Sequence, residues 1–215
     1  MKKIILLGLA LLTFAGIHTV SAQDDEEETQ ERLEKQKLWD SYGNNFIRGY
    51  LLRLGDDDNI GIGVEYERIV DKQRKVSIVI PFTYSFGSTD GYNFPSNETS
   101  NYFYFNPGLK FYPFGQRKVT YAIGPSLMFG TGKMTGYYDD PNTGIWNYGS
   151  MQRTTFGVLA NNYLNVQLTQ HFCFSADLGL GIAYWTRERY SNIDRTYNID
   201  PRFTASFGLG FGYRF

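Results

Sequence analysis

The sequence predicts an all-β protein: a closed eight-stranded antiparallel transmembrane β-barrel, preceded by a short N-terminal helical or disordered segment. Three observations carry this reading. From Asn44 onward apolar and polar residues alternate with a period of two over long stretches, as strands with two unlike faces require. The rows are strongly aromatic: 17 Tyr, 17 Phe and 3 Trp make up 17% of 215 residues, which suits the interfacial girdles of a membrane barrel. The connections between rows are alternately short and long. A mean hydropathy of -0.36 follows from the same alternation, since every second residue faces a polar or tightly packed interior.

Composition excludes several alternatives. After residue 22 no window holds the ~18 unbroken apolar residues of a transmembrane helix. With 21 Lys and Arg against 22 Asp and Glu, no basic stripe exists to neutralise phosphates, so nucleic acid is excluded as a partner. The single cysteine, Cys173, excludes an internal disulfide and a cysteine-based zinc site.

The first element is an export signal. Lys2 and Lys3 form its positive start, Ile4 to Ile17 its apolar stretch, and Val20-Ser21-Ala22 its small-residue cleavage site, so residues 1–22 are expected to be removed. Gln23 follows rather than cysteine, which excludes a lipoprotein signal. Loss of Lys2 and Lys3 leaves 19 basic residues against 22 acidic ones. Residues 23–43 form an acidic periplasmic segment. Within it, Glu28 with Arg32 and Glu31 with Lys35 stand four apart with the acid first, the orientation that supports a short solvated helix. Its expected role is that of a charged spacer.

The barrel occupies residues 44–215, with strands over about 44–54, 60–70, 76–86, 101–112, 119–131, 151–168, 172–186 and 202–215. The first is ambiguous, because Arg48 and Arg53 have opposite parity; placing Arg48 inside also puts Phe46, Tyr50 and Leu52 on the inner row. In the second, Ile60, Ile62, Val64 and Tyr66 face lipid, so Glu65 and Glu67 face the lumen. The fourth and fifth carry Phe103, Phe105, Leu109 and Phe111, then Val119, Tyr121, Ile123, Leu127 and Phe129, outward. In the seventh, Phe172 to Tyr184 alternate with Cys173, Ser175, Asp177 and glycines. The last reads FTASFGLGFGYRF. These rows are longer than the five or so residues usual in soluble sandwiches, and match the ~9 to 11 tilted residues of a membrane strand.

Connections VDKQRK, PFGQRK and TQH are short, whereas 87–100, 132–150 and 187–201 are long; GDDDN, residues 55–59, is the short exception on the long side. Short turns inside and long loops outside place both termini in the periplasm of an outer membrane. Glu65, Glu67, Lys110, Asp177, Arg202 and Arg214 lie on the polar rows. Buried charges must pair, so these six are expected to form a salt-bridge network that plugs a lumen too narrow for an open pore. The glycines at 179, 181, 208, 210 and 212 are expected to make room for large inward neighbours such as Tyr104 and Tyr163.

The strand count, the loop asymmetry and the terminal FTASFGLGFGYRF resemble the small eight-stranded outer-membrane barrels of Gram-negative bacteria, the OmpA/OmpX-like group, over residues 44–215. The resemblance implies that Phe207, Leu209, Phe211, Tyr213 and Phe215 form the signal read by the barrel-assembly machinery. No peptidoglycan-binding domain is apparent, so the periplasmic anchoring of longer members does not carry over.

Catalytic, metal-binding and cofactor-binding residues are not expected. Beyond the signal peptide His171 is the single histidine, it sits in a turn, and Cys173 rather than serine lies two residues on. GLGFG has strand spacing and no following helix, so it is not a dinucleotide fingerprint. Two function classes remain. One is a non-enzymatic barrel with a structural or recognition role, in which residues 137–150, YYDDPNTGIWNYGS, bind an extracellular ligand with the Tyr, Trp, Asn and Gly that binding loops use. The other is a lipid-handling barrel, either a lipid-modifying enzyme or a lateral channel for small apolar solutes. A dry apolar tunnel opening between strands would favour the second; an interior filled by paired charges favours the first.

Overall fold

A computed structural model describes residues 42–55, 60–87, 99–139, 146–190 and 195–215. The signal peptide and the acidic segment lie outside the described residues, except for Tyr42 and Gly43.

The described residues form ten strands: β1 (Asn45–Leu54), β2 (Ile60–Ile69), β3 (Val76–Gly87), β4 (Thr99–Phe105), β5 (Gly108–Phe111), β6 (Val119–Asp139), β7 (Trp146–Gln167), β8 (Phe172–Tyr190), β9 (Arg195–Ile199) and β10 (Arg202–Arg214). They make eight antiparallel staves. β4 and β5 both run between β3 and β6, and β9 and β10 both pair with β8, so each couple is one stave broken in two. Both breaks fall at proline, at Asn106-Pro107 and Asp200-Pro201. Proline has no N–H to give the ladder. Across the first break, the carbonyl of Pro81 on β3 accepts from Asn106 N (3.3 Å), and the carbonyl of Pro107 accepts from Leu127 N on β6 (2.9 Å).

The barrel closes between β1 and β10, in register from Phe46 opposite Arg214 to Leu54 opposite Phe207. Asn45 and Phe215 complete the seam by exchanging two backbone hydrogen bonds of 2.9 Å. The short turns lie at this end. In the β2–β3 turn Arg74 adopts φ 56°, and Asp71 Oδ1 accepts from Val76 N at 2.7 Å.

Alternation sorts the side chains as a bilayer demands. Ile47, Val64, Ile78, Leu109, Leu127, Ile182 and Phe211 are exposed on the outer wall, a continuous apolar band that water would disfavour and lipid accepts. The buried residues fill the interior. Phe46, Ile69 and Cys173 cluster at the end of the short turns, and Met128, Leu159 and Ala183 cluster towards the other end. Charged residues occupy the space between.

Two bulges change the parity that a strict period of two gives. On β1 the register steps from Tyr50 opposite Gly63 to Arg53 opposite Gly61, so one extra residue is absorbed. Leu51, 73% exposed, is the residue left over against β10. The bulge turns Arg48, Tyr50 and Arg53 all inward, which resolves the conflict between the two arginines; Leu52 pairs with outward Leu209 and leaves the inner row where the sequence places it. On β8 a second bulge lies where Phe156 opposes Trp185 and Gly157 opposes Ala183. Tyr184 and Trp185 are consequently both exposed, and Thr186 and Glu188 turn inward.

Three strands run further than their alternation indicates. The β6–β7 ladder is unbroken from Val119 opposite Val166 to Asp139 opposite Trp146, so most of the expected loop 132–150 is a hairpin. β8 continues to Tyr190 and pairs with β9 inside the expected loop 187–201. Beyond the bilayer neither face need be apolar. Hydrophobic alternation fades there while backbone pairing persists.

Candidate functional site

The charged interior is assembled by six staves. β2 provides Glu65 and Glu67, two residues apart on the inward row. From β1, Arg48 Nη1 donates to Glu65 Oε1 at 2.8 Å and also to Glu67 Oε2. From β5, Lys110 Nζ donates to the same two oxygens at 2.7 and 2.9 Å. Two cations thus bracket two carboxylates in a closed quartet. Tyr112 O–H donates to Glu67 Oε1, and Ser77 Oγ from β3 reaches that oxygen at 2.7 Å. A second pair lies alongside: Arg53 Nη1 donates to Asp177 Oδ2 on β8 at 2.7 Å, and Arg53 Nη2 is 4.0 Å from Glu65 Oε2.

Aromatic faces complete the cations' surroundings. The Arg53 guanidinium lies 3.8 Å from the Tyr50 ring centroid, Lys110 Nζ lies 4.1 Å from that of Tyr163 on β7, and Arg48 lies 4.5 Å from that of Phe46. The glycines of β10 open onto this network. A Cβ at Gly208 would meet Asp177 Oδ1 at 2.7 Å, and one at Gly212 would meet the Arg48 stem at 2.7 Å. They make room for Arg48, Tyr50, Arg53 and Asp177 instead of Tyr104 and Tyr163; Tyr104 packs over Gly130. The three cations and three carboxylates cancel in charge, which is the condition for burying them.

Of the six charges singled out from sequence, Glu65, Glu67, Lys110 and Asp177 come together. Arg202 and Arg214 do not join them. Arg202 pairs in register with Ala183 and Asp177 with Gly208, six residues along β10, or roughly 20 Å away. Arg214, 1% exposed, sits at the foot of the barrel, where Nε donates to Gly43 O at 2.8 Å and the guanidinium lies over Phe46 at 4.7 Å. The places expected for them are filled by Arg48 and Arg53. Arg153 and Glu188 form a further inward ion pair at 2.7 Å, backed by Tyr190 O–H donating to Glu188 at 2.9 Å. Its sequence signal is the Tyr184-Trp185 doublet: if two successive aromatics both face out, Glu188 must face in.

His171 sits in the turn between β7 and β8. Its Nδ1 is 3.0 Å from the Arg214 carbonyl oxygen and its ring stacks on Tyr213 at 5.3 Å. On the lipid side, outward asparagines are satisfied across strands. Tyr66 O–H donates to Asn45 at 2.8 Å, Tyr84 to Asn101 at 2.9 Å and Tyr121 to Asn162 at 2.6 Å.

A cavity of about 50 Å³ lies beside the network, with Arg53, Glu65, Thr83, Asn106, Asn161 and Asp177 in its wall. Leu54, Met128, Leu159 and Tyr163 line it too, so its wall mixes charged and apolar groups.

No protein-family model and no curated protein matches the sequence. Solved structures do resemble it. A major outer membrane protein from Thermus thermophilus superposes with a TM-score of 0.55 at 12% identity, covering 81% of this chain and all of the other. The outer membrane protein OprG of Pseudomonas aeruginosa gives 0.55 at 15% identity, covering 80% of this chain and 96% of the other. At such identities the likeness is one of fold. With its closed eight-stave sheet and apolar outer band, the chain has the fold of the small eight-stranded outer-membrane β-barrels.

Proposed function

We propose that this barrel is a non-enzymatic, non-conducting outer-membrane protein, its lumen plugged by the Arg48-Glu65-Glu67-Lys110 quartet and its surface end serving recognition. Both termini are periplasmic in this reading, and the barrel-assembly machinery recognises Phe207, Leu209, Phe211, Tyr213 and Phe215. The observation that carries the recognition role is strand length. A tilted strand crosses a bilayer in ~9 to 11 residues, whereas β6, β7 and β8 have 21, 22 and 19. The surplus is a paired sheet standing clear of the membrane, and residues 137–150, of which 140–145 lie outside the described residues, are the binding element for an extracellular ligand in this reading. Such a sheet holds a binding surface with little conformational entropy left to lose on association.

The test has two arms. Single-channel recording in planar bilayers is expected to show no conductance steps for the wild type; steps would overturn the plug. A variant with residues 133–151 replaced by a two-residue turn should insert normally yet lose capture of a glycan and extracellular-protein array. Equal array profiles for the two proteins would overturn the recognition role.

A further inference from the structure

The bulge on β8 produces an outward surface that neither the plug nor the hairpin tip uses. Three cross-strand rows are stacked over β6, β7 and β8. The lowest is aromatic: Phe129 opposes Phe156, which opposes Trp185, with Tyr184 beside it and edge-on to Phe156 at 5.2 Å between ring centroids. Because the bulge sends both Tyr184 and Trp185 outward, the four rings wall an open groove on the outer surface. Next comes a row of hydroxyls and a cation, Thr131, Thr154 and Arg187, in which the two threonine oxygens are 3.5 Å apart. The third is Lys133, Gln152 and Arg189.

Below the aromatic row the outer wall is apolar through Leu127, Val158 and Ile182, so this row marks the edge of the hydrocarbon. Four residues at ~3.4 Å, on strands tilted by ~45°, raise the basic row by roughly 10 Å, within reach of long side chains bending back to the headgroup level. Lys133, Arg187 and Arg189 are exposed, and neither Lys133 nor Arg187 has an ion-pair partner among the described residues. The acid Glu188 between the two arginines points inward to Arg153. Asp200 is the one described acid on the adjoining stave, exposed and without an ion pair among the described residues. At the same end of the barrel the outward positions of β2, β3 and β4 are Ile60, Phe86 and Asn101, so outward cations among the described residues are confined to this sector.

We propose that this sector binds lipopolysaccharide of the outer leaflet, its phosphates on Lys133, Arg187 and Arg189, its sugar hydroxyls near Thr131 and Thr154, and an acyl chain in the groove of Phe129, Phe156, Tyr184 and Trp185. Charge complementarity selects the occupant: exposed cations above an aromatic, lipid-level groove, Lys133 and Arg187 among them without an ion-pair partner among the described residues, match a phosphorylated amphiphile. The assignment of the leaflet rests on the reading that the termini are periplasmic.

The experiment is native mass spectrometry of the detergent-solubilised protein incubated with purified lipid A, with enzymatically dephosphorylated lipid A, and with phosphatidylglycerol. The wild type is expected to retain lipid A and to lose most of it when the phosphates are removed. The triple variant K133Q/R187Q/R189Q, folded by the criterion of heat-modifiable gel migration, should retain about tenfold less. Trp185→Ala should weaken retention without removing the phosphate dependence. Equal retention of the dephosphorylated lipid by the wild type would overturn the proposal without any variant having to fold, as would phosphatidylglycerol held as tightly as lipid A. Orientation is read separately by labelling Thr196→Cys on intact cells with a membrane-impermeant maleimide, against a background kept low by the burial of Cys173. Absence of label overturns the orientation while leaving the affinity for lipid A to stand or fall on the mass spectra.

Discussion

Arg53 Nη1 stands 2.7 Å from Asp177 Oδ2 over Gly208 of the intervening β10, a contact between β1 and β8 that exists because β1 bulges at Leu51. Without an extra residue Arg53 would alternate onto the lipid side, where a basic side chain near the midplane costs about 2–4 kcal/mol. Arg53→Met should therefore lower the unfolding free energy in urea by about 3 kcal/mol, since it leaves Asp177 buried without its cation. Deletion of Leu51 should cost less than that, because it removes the bulge and keeps Arg53 facing Gly208. Equal losses for the two changes would refute this account of the bulge.

The quartet predicts a second effect. Glu65 accepts from both Arg48 and Lys110, so Glu65→Gln leaves two buried cations sharing Glu67. A loss of about 3–5 kcal/mol is expected, against less than about 0.5 kcal/mol for Asp200→Asn on the exposed surface. Urea midpoints of barrels refolded into liposomes decide it, and coincident midpoints would remove the quartet from the stability of the barrel.

How far the sequence carried these conclusions depends on what each signal encodes. Glu65, Glu67, Lys110 and Asp177 were legible because each sits in a strand whose opposite row is unbrokenly apolar, and lipid tolerates only one phase. Arg53 was not, since a bulge leaves no mark in a hydrophobic pattern beyond two charges of conflicting parity. Arg153 and Glu188 were hidden for a different reason: above the bilayer both faces of a strand are polar, and backbone pairing alone holds it. Arg202 and Arg214 were correctly phased but at the wrong heights. Phase follows from a single strand, whereas height needs the stagger between strands, which alternation does not contain.

The closing seam is predicted to tolerate no side chain at Gly210. A Cβ there would lie 2.5 Å from the Gly49 carbonyl oxygen and 3.0 Å from the Tyr50 Cα, both backbone atoms of β1. Gly210→Ala must push β1 and β10 apart. Gly49→Ala is the matched control, because a Cβ at Gly49 meets nothing within 4 Å. The first variant should show slower folding into liposomes and a lower urea midpoint, by about 1–3 kcal/mol as for other overpacked sites; the second should match the wild type. A Gly210→Ala barrel as stable as the control would mean that the seam is looser than its backbone spacing implies.

The last prediction concerns assembly. Phe215 is 48% exposed, its ring stacks on Tyr213 at 6.3 Å between centroids, and its backbone exchanges two hydrogen bonds with Asn45. Its side chain therefore adds little to the interior, while its backbone joins the two ends of the sheet. Phe215→Glu keeps the backbone bonds and alters the outward aromatic row formed with Phe211 and Tyr213. If that row is what the assembly machinery reads, the variant should be exported normally but reach the outer membrane at a reduced level. The purified variant should still refold spontaneously into detergent. Phe215→Tyr keeps an aromatic ring and should restore assembly. Fractionation with immunoblotting measures export and insertion, and heat-modifiable migration measures folding. If Phe215→Glu is lost equally from cells and from refolding reactions, the residue acts through barrel stability and the assembly reading fails; if it inserts at the wild-type level, the row is not the signal.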